Sequence, residues 1–260
     1  RDLRATAYLA PVGEPALGGA AYRHRPTAWD NPETSLSHHA LEGSHVSAGV
    51  ATLGLTVRNQ ARIEWSRFNR TETDENRFDI DPVRLDADSV RASWNPSKES
   101  SLQISRGWFG AMGGDHGGHE GSGGMPMAAE KTTVSAAWHR GRGGADFVSW
   151  YAAHALDKEG TGSRHRALLV EGAARRGDWR VFTRFEHLDK SDLMRVPEGV
   201  HRVGRLTVGG ARILGDDARS ERSVGASVGL HSIPSELRSA YGSAPVSVQF
   251  FYRIRSPRVR

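Results

Sequence analysis

Two groups of side chains in this 260-residue sequence have types and spacings that could do chemistry. The first is the stretch Met112-Gly113-Gly114-Asp115-His116-Gly117-Gly118-His119-Glu120, followed by Met125-Pro126-Met127. Imidazole suits Cu(II), Zn(II) and Ni(II), thioether suits Cu(I), and glycines let a short segment wrap an ion. His116 and His119, three apart and flanked by Asp115 and Glu120, could hold a copper or zinc ion weakly at a surface. His38, His39 and His45 could add ligands from another loop. The competing reading is a solvated low-complexity loop that binds nothing specific.

The second group is a set of charged and polar residues at every other position of otherwise apolar segments. It comprises Arg62, Glu64, Arg91, Glu171, Arg184, Glu186, Arg205, Thr207, Gln249 and Arg253. Side chains two apart on a strand share a face, so these residues are expected to line one side of a sheet. If that side encloses an open pore, the excess of arginine favours anions. If it does not, long Arg and Glu side chains interlock into a salt-bridged plug.

An enzyme needs a nucleophile, a base and an orienting group within hydrogen-bond reach. Ser227 and His231 share parity, but four residues along a strand is roughly 13 Å. His154 and His187 lie at strand ends with no evident Ser or Asp partner. An outer-membrane lipid hydrolase is therefore the least favoured reading, and no catalytic residue is expected. Gly141 to Gly144 lie in a turn rather than between a strand and a helix, which argues against a phosphate cradle.

The elements that would position these residues read as strands. In the last of them, Val246, Val248, Phe250, Tyr252 and Ile254 form a wholly apolar face, while Ser247, Gln249, Arg253 and Arg255 share the other face with Phe251 alone as exception. Similar segments are expected near 3–9, 46–57, 60–68, 84–94, 101–108, 132–140, 145–155, 164–174, 179–188, 202–214, 222–231 and 246–255. Joints such as Arg58-Asn59, Asn95-Pro96-Ser97, Gly177-Asp178 and Gly215-Asp216-Asp217 carry the residues that tight turns require. The other connections, near 10–45, 69–83, 109–131, 156–163, 189–201 and 232–245, are longer and strictly interleaved with the short ones.

Short turns at one end and long loops at the other are the pattern of an antiparallel up-and-down transmembrane β-barrel, here of about twelve strands in one domain. In such barrels the short end is periplasmic. Trp94, Trp138, Trp179 and Tyr252 then fall near the periplasmic ends of their strands, and Trp65 and Trp108 toward the outer ends, as two interfacial belts. Asp86 and Asp88 share the lipid-facing parity of Val90, Ala92 and Trp94, but at the outer end, where a charge costs little. A soluble antiparallel sandwich would alternate in the same way but has no reason to sort its loops or collect its aromatics.

Composition agrees. With 37% hydrophobic and 25% charged residues the chain looks soluble, yet a barrel wall needs only every second residue apolar. No run approaches the roughly 18 apolar residues of a transmembrane helix. The absence of cysteine rules out disulfides and thiolate metal sites. Net charge is +5, but the basic residues are scattered rather than gathered in a stripe, so nucleic acid is not expected. The chain opens at Arg1 without an apolar signal segment, as a mature form or, more in keeping with the rest, a fragment.

The stretch Ala10-Pro11-Val12-Gly13-Glu14-Pro15-Ala16-Leu17-Gly18, then His24-Arg25-Pro26, Asp30-Asn31-Pro32-Glu33, His38-His39 and Ser44-His45, resembles a family of uncharacterised bacterial outer-membrane barrel proteins. Phe78-Asp79-Ile80-Asp81, Ser93-Trp94-Asn95-Pro96 and the ending from Pro234 to Tyr241-Gly242-Ser243 are similar as well. The resemblance runs along almost the whole chain. It implies a bacterial outer-membrane location among lipid, with extra N-terminal strands in related chains, and a link in some members to heavy-metal resistance. It implies no known substrate or catalytic residue. The Gly, His and Met content of residues 109–130 departs from it. The expected function is a passive, porin-like channel for small solutes or ions, with a metal-related role open to it, against a plugged structural or ligand-binding barrel.

Overall fold

The computed structural model describes residues 2–42, 47–70, 82–109, 129–160, 162–191, 193, 196, 199–216 and 220–256. The metal candidates Asp115, His116, His119 and Glu120, together with His45 and the Phe78–Asp81 motif, lie outside the described residues.

Local chemistry sets the turns. Arg58 and Asn59 both adopt positive φ, 50° and 54°, and the Gln60 amide donates to the Val57 carbonyl at 3.0 Å. Two left-handed residues inside such a bond make a type I′ turn, whose twist matches that of paired strands. The strands on either side pair in register, Val57 opposite Ala61 and Leu53 opposite Trp65.

Twelve strands result: β1 (Leu3–Gly13), β2 (Ser47–Val57), β3 (Ala61–Phe68), β4 (Ala87–Trp94), β5 (Ser100–Trp108), β6 (Glu130–Gly141), β7 (Phe147–Lys158), β8 (Arg164–Arg176), β9 (Trp179–Lys190), β10 (His201–Asp216), β11 (Glu221–Ser232) and β12 (Val246–Arg255). They form one sheet in sequence order, each antiparallel to its neighbours. Two short helices, α1 (His38–Leu41) and α2 (Arg238–Tyr241), lie in the connections after β1 and β11. No helix among the described residues is long and apolar enough to cross a membrane, which says nothing of strands.

The expected closure is not seen. Among the described residues β1 pairs only with β2 and β12 only with β11, so the sheet is an open up-and-down sheet with a seam between its first and last strands. With twelve strands in strict alternation, the two edges run antiparallel to each other.

Register divides the sheet into two faces. Leu53, Ile63, Trp94, Ile104, Val134, Val181, Val208 and five of the six apolar residues of β12, Phe251 excepted, point one way and are exposed. Within the strands, Tyr8 and Val12 of β1 are the exceptions among exposed large apolar side chains. Six of the seven tryptophans sit on this outward face, and the seventh, Trp29, does not belong to a strand. Asp88 is also outward, opposite Arg67, while Asp86 precedes β4 and accepts the Arg70 amide at 2.9 Å.

The opposite face is covered by the chain itself. Residues 14–42, which follow β1, pack across it and touch β3, β5, β7, β8, β9, β10 and β12. One short segment can reach strands so far apart in the order only if the sheet curls around it. Buried apolar clusters form where segment and sheet meet: Leu41 with Ala153, Leu169, Leu188 and Val203, and Leu17 with Val50, Phe68, Ala87 and Phe109. The inward Phe251 packs near Phe182, over Gly225, where a Cβ would collide with its ring. A glycine covered by a cross-strand aromatic accounts for the single apolar residue on the polar side of β12.

Candidate functional site

The long connection after β1 was expected to be an outer loop and is instead an internal plug. Its entry is set by proline and glycine: the Leu17 amide donates to the Pro15 carbonyl at 2.8 Å, and Gly18 takes φ +76°. Gly19 passes so close to Tyr151 that any Cβ would collide with the phenol oxygen. The backbone is then fixed to hydroxyls of the wall, Ala16 N–H to Ser66 Oγ and Gly18 N–H to Ser105 Oγ, both at 2.8 Å.

Beyond Ala20 the contacts become ionic. Arg25 donates from Nε to Glu171 Oε2 at 2.9 Å and from Nη1 to Glu42 Oε1 at 2.8 Å, with its guanidinium 4.6 Å from the centre of the Tyr151 ring. Thr27 also donates to Glu171, at 2.8 Å, and Arg184 approaches its other oxygen at 2.7 Å. A fully buried carboxylate is thereby matched by two guanidiniums and a hydroxyl, the condition under which a buried charge is tolerated.

Glu186 is treated alike. It accepts from Ser35 Oγ at 2.6 Å, Ser37 N at 3.0 Å, Ser37 Oγ at 2.9 Å and Arg205 Nη2 at 2.8 Å. Arg205 also pairs with Glu33 at 3.1 Å. Toward the seam, Asp30 meets Arg180 at 3.0 Å and Arg253, and Arg255 holds the Trp29 carbonyl at 3.0 Å. Arg180 further pairs with Glu221, which Arg175 reaches at 3.1 Å. The plug carries Asp30, Glu33 and Glu42 against Arg25 alone in these contacts, so an acidic segment sits in an arginine-rich wall. Burial pushes the Glu42 carboxyl above its ordinary value, outweighing the opposing pull of Arg25.

The residues expected on the inner face are all there by register, but they fall into two groups. Glu171, Arg184, Glu186, Arg205 and Arg253 hold the plug, and Thr207 lies 3.4 Å from Glu33. Arg62, Glu64 and Arg91 instead bind one another, Glu64 accepting from both arginines at 2.9 Å. Gln249 lies opposite Ser227 and has no hydrogen bond to the plug among the described residues. The expected interlock of wall side chains is therefore mostly a lock between wall and plug, which leaves few arginines uncommitted. Arg180, Arg175 and Glu221 were missed on the wall, although Arg180 shares parity with Arg184 and Glu186 and was readable; Arg255 was placed on the polar face but not named among the inner residues.

The wall from β2 to β6 has another character. Thr52 and Ser66 share a hydrogen bond at 2.6 Å, Ser105 and Thr133 one at 2.8 Å, and Gln103 donates to Ser93 at 3.3 Å. Between this wall and the plug lies a cavity of about 690 Å³ near the short turns, bordered by Arg25, Thr27, Gln103, Ser135 and Tyr151. A concavity of about 720 Å³ on the outward face, among Leu55, Ile63, Trp94, Ile104 and Val134, has no converging polar groups and belongs to the apolar face.

Other candidates separate. The His38 and His39 rings are 3.9 Å apart between centroids, and His38 Nδ1 lies 2.7 Å from the Ser35 carbonyl. Among the described residues no cluster of three or more His, Cys, Asp or Glu could hold a metal ion. His231 meets Ser247 at 3.2 Å rather than Ser227, and His154 and His187 flank Leu168 on the outward face. Comparison with known protein families and with curated proteins finds no match for this chain.

Proposed function

We propose that this chain is a bacterial outer-membrane β-barrel with a built-in plug, which acts as a gated passage for small solutes or ions. The observation that carries the proposal is the outward face, a band of exposed apolar side chains interrupted mid-strand by His154, Thr183 and His187 and flanked toward the strand ends by charges such as Arg67, Asp88, Arg106, Arg202 and Arg212, around a sheet whose inner face is charged and hydroxylated. Such a surface is stable against lipid and unstable against water. On β12 it extends from Val246 to Ile254, roughly 26 Å along the strand, which once tilted covers most of the roughly 25 Å apolar band of such membranes.

In the membrane the antiparallel edges β1 and β12 close the wall, directly or with further strands between them, since open edges do not persist in lipid. The sorting of turns and loops supports a periplasmic short-turn end. The resemblance noted in the sequence supports the same location, and several of its motifs, His24-Arg25-Pro26, Asp30-Asn31-Pro32-Glu33 and His38-His39, lie in the plug.

The plug divides the interior unequally, and this favours a gate over an open pore. A permanently plugged structural barrel is the second reading, favoured by the buried pairs on Glu171 and Glu186. Planar-bilayer recording separates the two. The gated reading expects rare, small openings in the native protein and larger, more frequent ones after Asp30→Asn. Insertion without conductance in both proteins would leave only the second reading.

A further inference from the structure

We propose that the cavity between the plug and the β5–β7 wall is a binding vestibule for a small neutral solute rich in hydroxyl groups, such as a sugar or polyol. Its membrane orientation rests on the function proposed above; the binding site itself does not.

The cavity is walled on one side by plug residues Ala20 and His24 to Thr27, and on the other by Ser101, Gln103, Ser135 and Ser149. The turns carrying Asn59, Gln60 and Asn95 frame its mouth. Beyond it the plug backbone is tied to Ser66 and Ser105, and Leu17 packs with Val50, Phe68 and Phe109, so the far side is sealed by hydroxyl bonds and apolar contact. At about 690 Å³ it falls within the size range of small-molecule sites.

Apart from the imidazoles of His24 and His139, its inner lining offers no uncommitted ionisable group among the described residues. Arg25, the charged side chain at its back, is committed to Glu171 and Glu42. Glu99 pairs with Arg140 at 3.5 Å, and Arg58 and Lys98 are exposed at the rim. The side chains of Ser101, Asn59, Gln60 and Asn95 have no hydrogen-bond partner among the described residues, and Gln103 engages only its amide nitrogen. These groups both donate and accept, as a ligand hydroxyl does. In the charged half of the interior the wall is already matched by the plug; here Ser149 donates to the Trp138 carbonyl and Gln103 to Ser93, and the remaining donors and acceptors face the cavity. A ligand hydroxyl can meet these groups without leaving a charge unpaired, whereas an ionic ligand would find no uncommitted opposite charge inside.

Calorimetric titration of the detergent-solubilised full chain tests this, with sucrose as probe and citrate and spermidine as charged counterparts. Sucrose should bind and the charged probes should not. Gln103→Leu should weaken sucrose about tenfold, the effect of losing one or two hydrogen bonds. Ala137→Trp, which fills the cavity without removing a polar group, should abolish it. Heat-modifiable gel migration identifies variants that fold like the native chain. Absence of sucrose binding, tighter binding of citrate or spermidine, or undiminished binding in both folded variants would overturn the proposal. Sucrose binding without bilayer conductance would keep the site and remove the passage; conductance without sucrose binding would do the reverse.

Discussion

The two halves of the interior solve the same problem differently. From β8 to β12 the wall faces the plug with Glu171, Arg180, Arg205 and Arg253, each answering a plug charge, while Arg184 and Glu186 pair with wall charges and take plug carbonyl, hydroxyl and amide groups. From β2 to β6 the wall meets the plug mainly through hydroxyls, two of them given to plug amides, with Lys131 alone among the described residues donating a charged bond, to the His39 carbonyl, and Arg62, Glu64 and Arg91 paired among themselves, and it leaves a cavity below. Removing one partner of a buried ion pair strands the other, while losing a hydroxyl costs one ordinary hydrogen bond. The charged half therefore anchors the plug more firmly, and in the gate proposed above the hydroxyl half is where a passage would open.

The sharpest break in this contrast is Glu171→Ala, which leaves Arg25 and Arg184 without their shared carboxylate. It should cost about 3–5 kcal/mol, read as a lower Tm and as proteolytic cleavage within residues 14–42. Asp30→Asn keeps the shape but removes the charge between Arg180 and Arg253. A loss of about 2 kcal/mol, in the range for hydrogen bonds to charged groups, is expected in denaturant titration. In the other half, Ser105→Ala orphans the Gly18 amide and the Thr133 hydroxyl and should cost only about 1–2 kcal/mol. If Ser105→Ala destabilised the chain as much as Glu171→Ala, the division into anchor and passage would fail.

The smallest effect concerns Glu42. Its carboxyl titrates above the ordinary 4.5 because burial outweighs Arg25. The buried plug thus binds this proton more readily than the unfolded chain does. Its contribution to stability is full below the ordinary value and is lost as pH rises through the raised one. Glu42→Gln should remove that part of the pH dependence, seen as the difference between the two Tm–pH curves. A native stability that rose with pH relative to the variant would have the wrong sign.

The strands were legible because alternation and turn chemistry are local. The expected segment 246–255 coincides with β12, 179–188 falls inside Trp179–Lys190, and the inner residues follow from parity alone. The plug was not legible. Arg25 and Glu171 are 146 residues apart, and nothing in Arg25-Pro26-Thr27 announces which wall it will meet. The same segment is rich in proline, glycine and polar residues, so it reads as an exposed loop. Its buried charges become stable only once the partners are in place. The open seam was equally invisible, since an edge strand and an inner strand of a barrel alternate alike.

The most direct test of the plug uses the natural absence of cysteine. Ala16 and Ser66 lie 50 residues apart, yet the amide of one is 2.8 Å from the hydroxyl of the other, so the two residues are direct neighbours in the folded chain. Ala16→Cys combined with Ser66→Cys should oxidise to an intramolecular disulfide in the folded, detergent-solubilised chain, while Ala16→Cys with Ser227→Cys should not. Failure of the first pair to form, or equal formation of both, would contradict a plug docked against this wall.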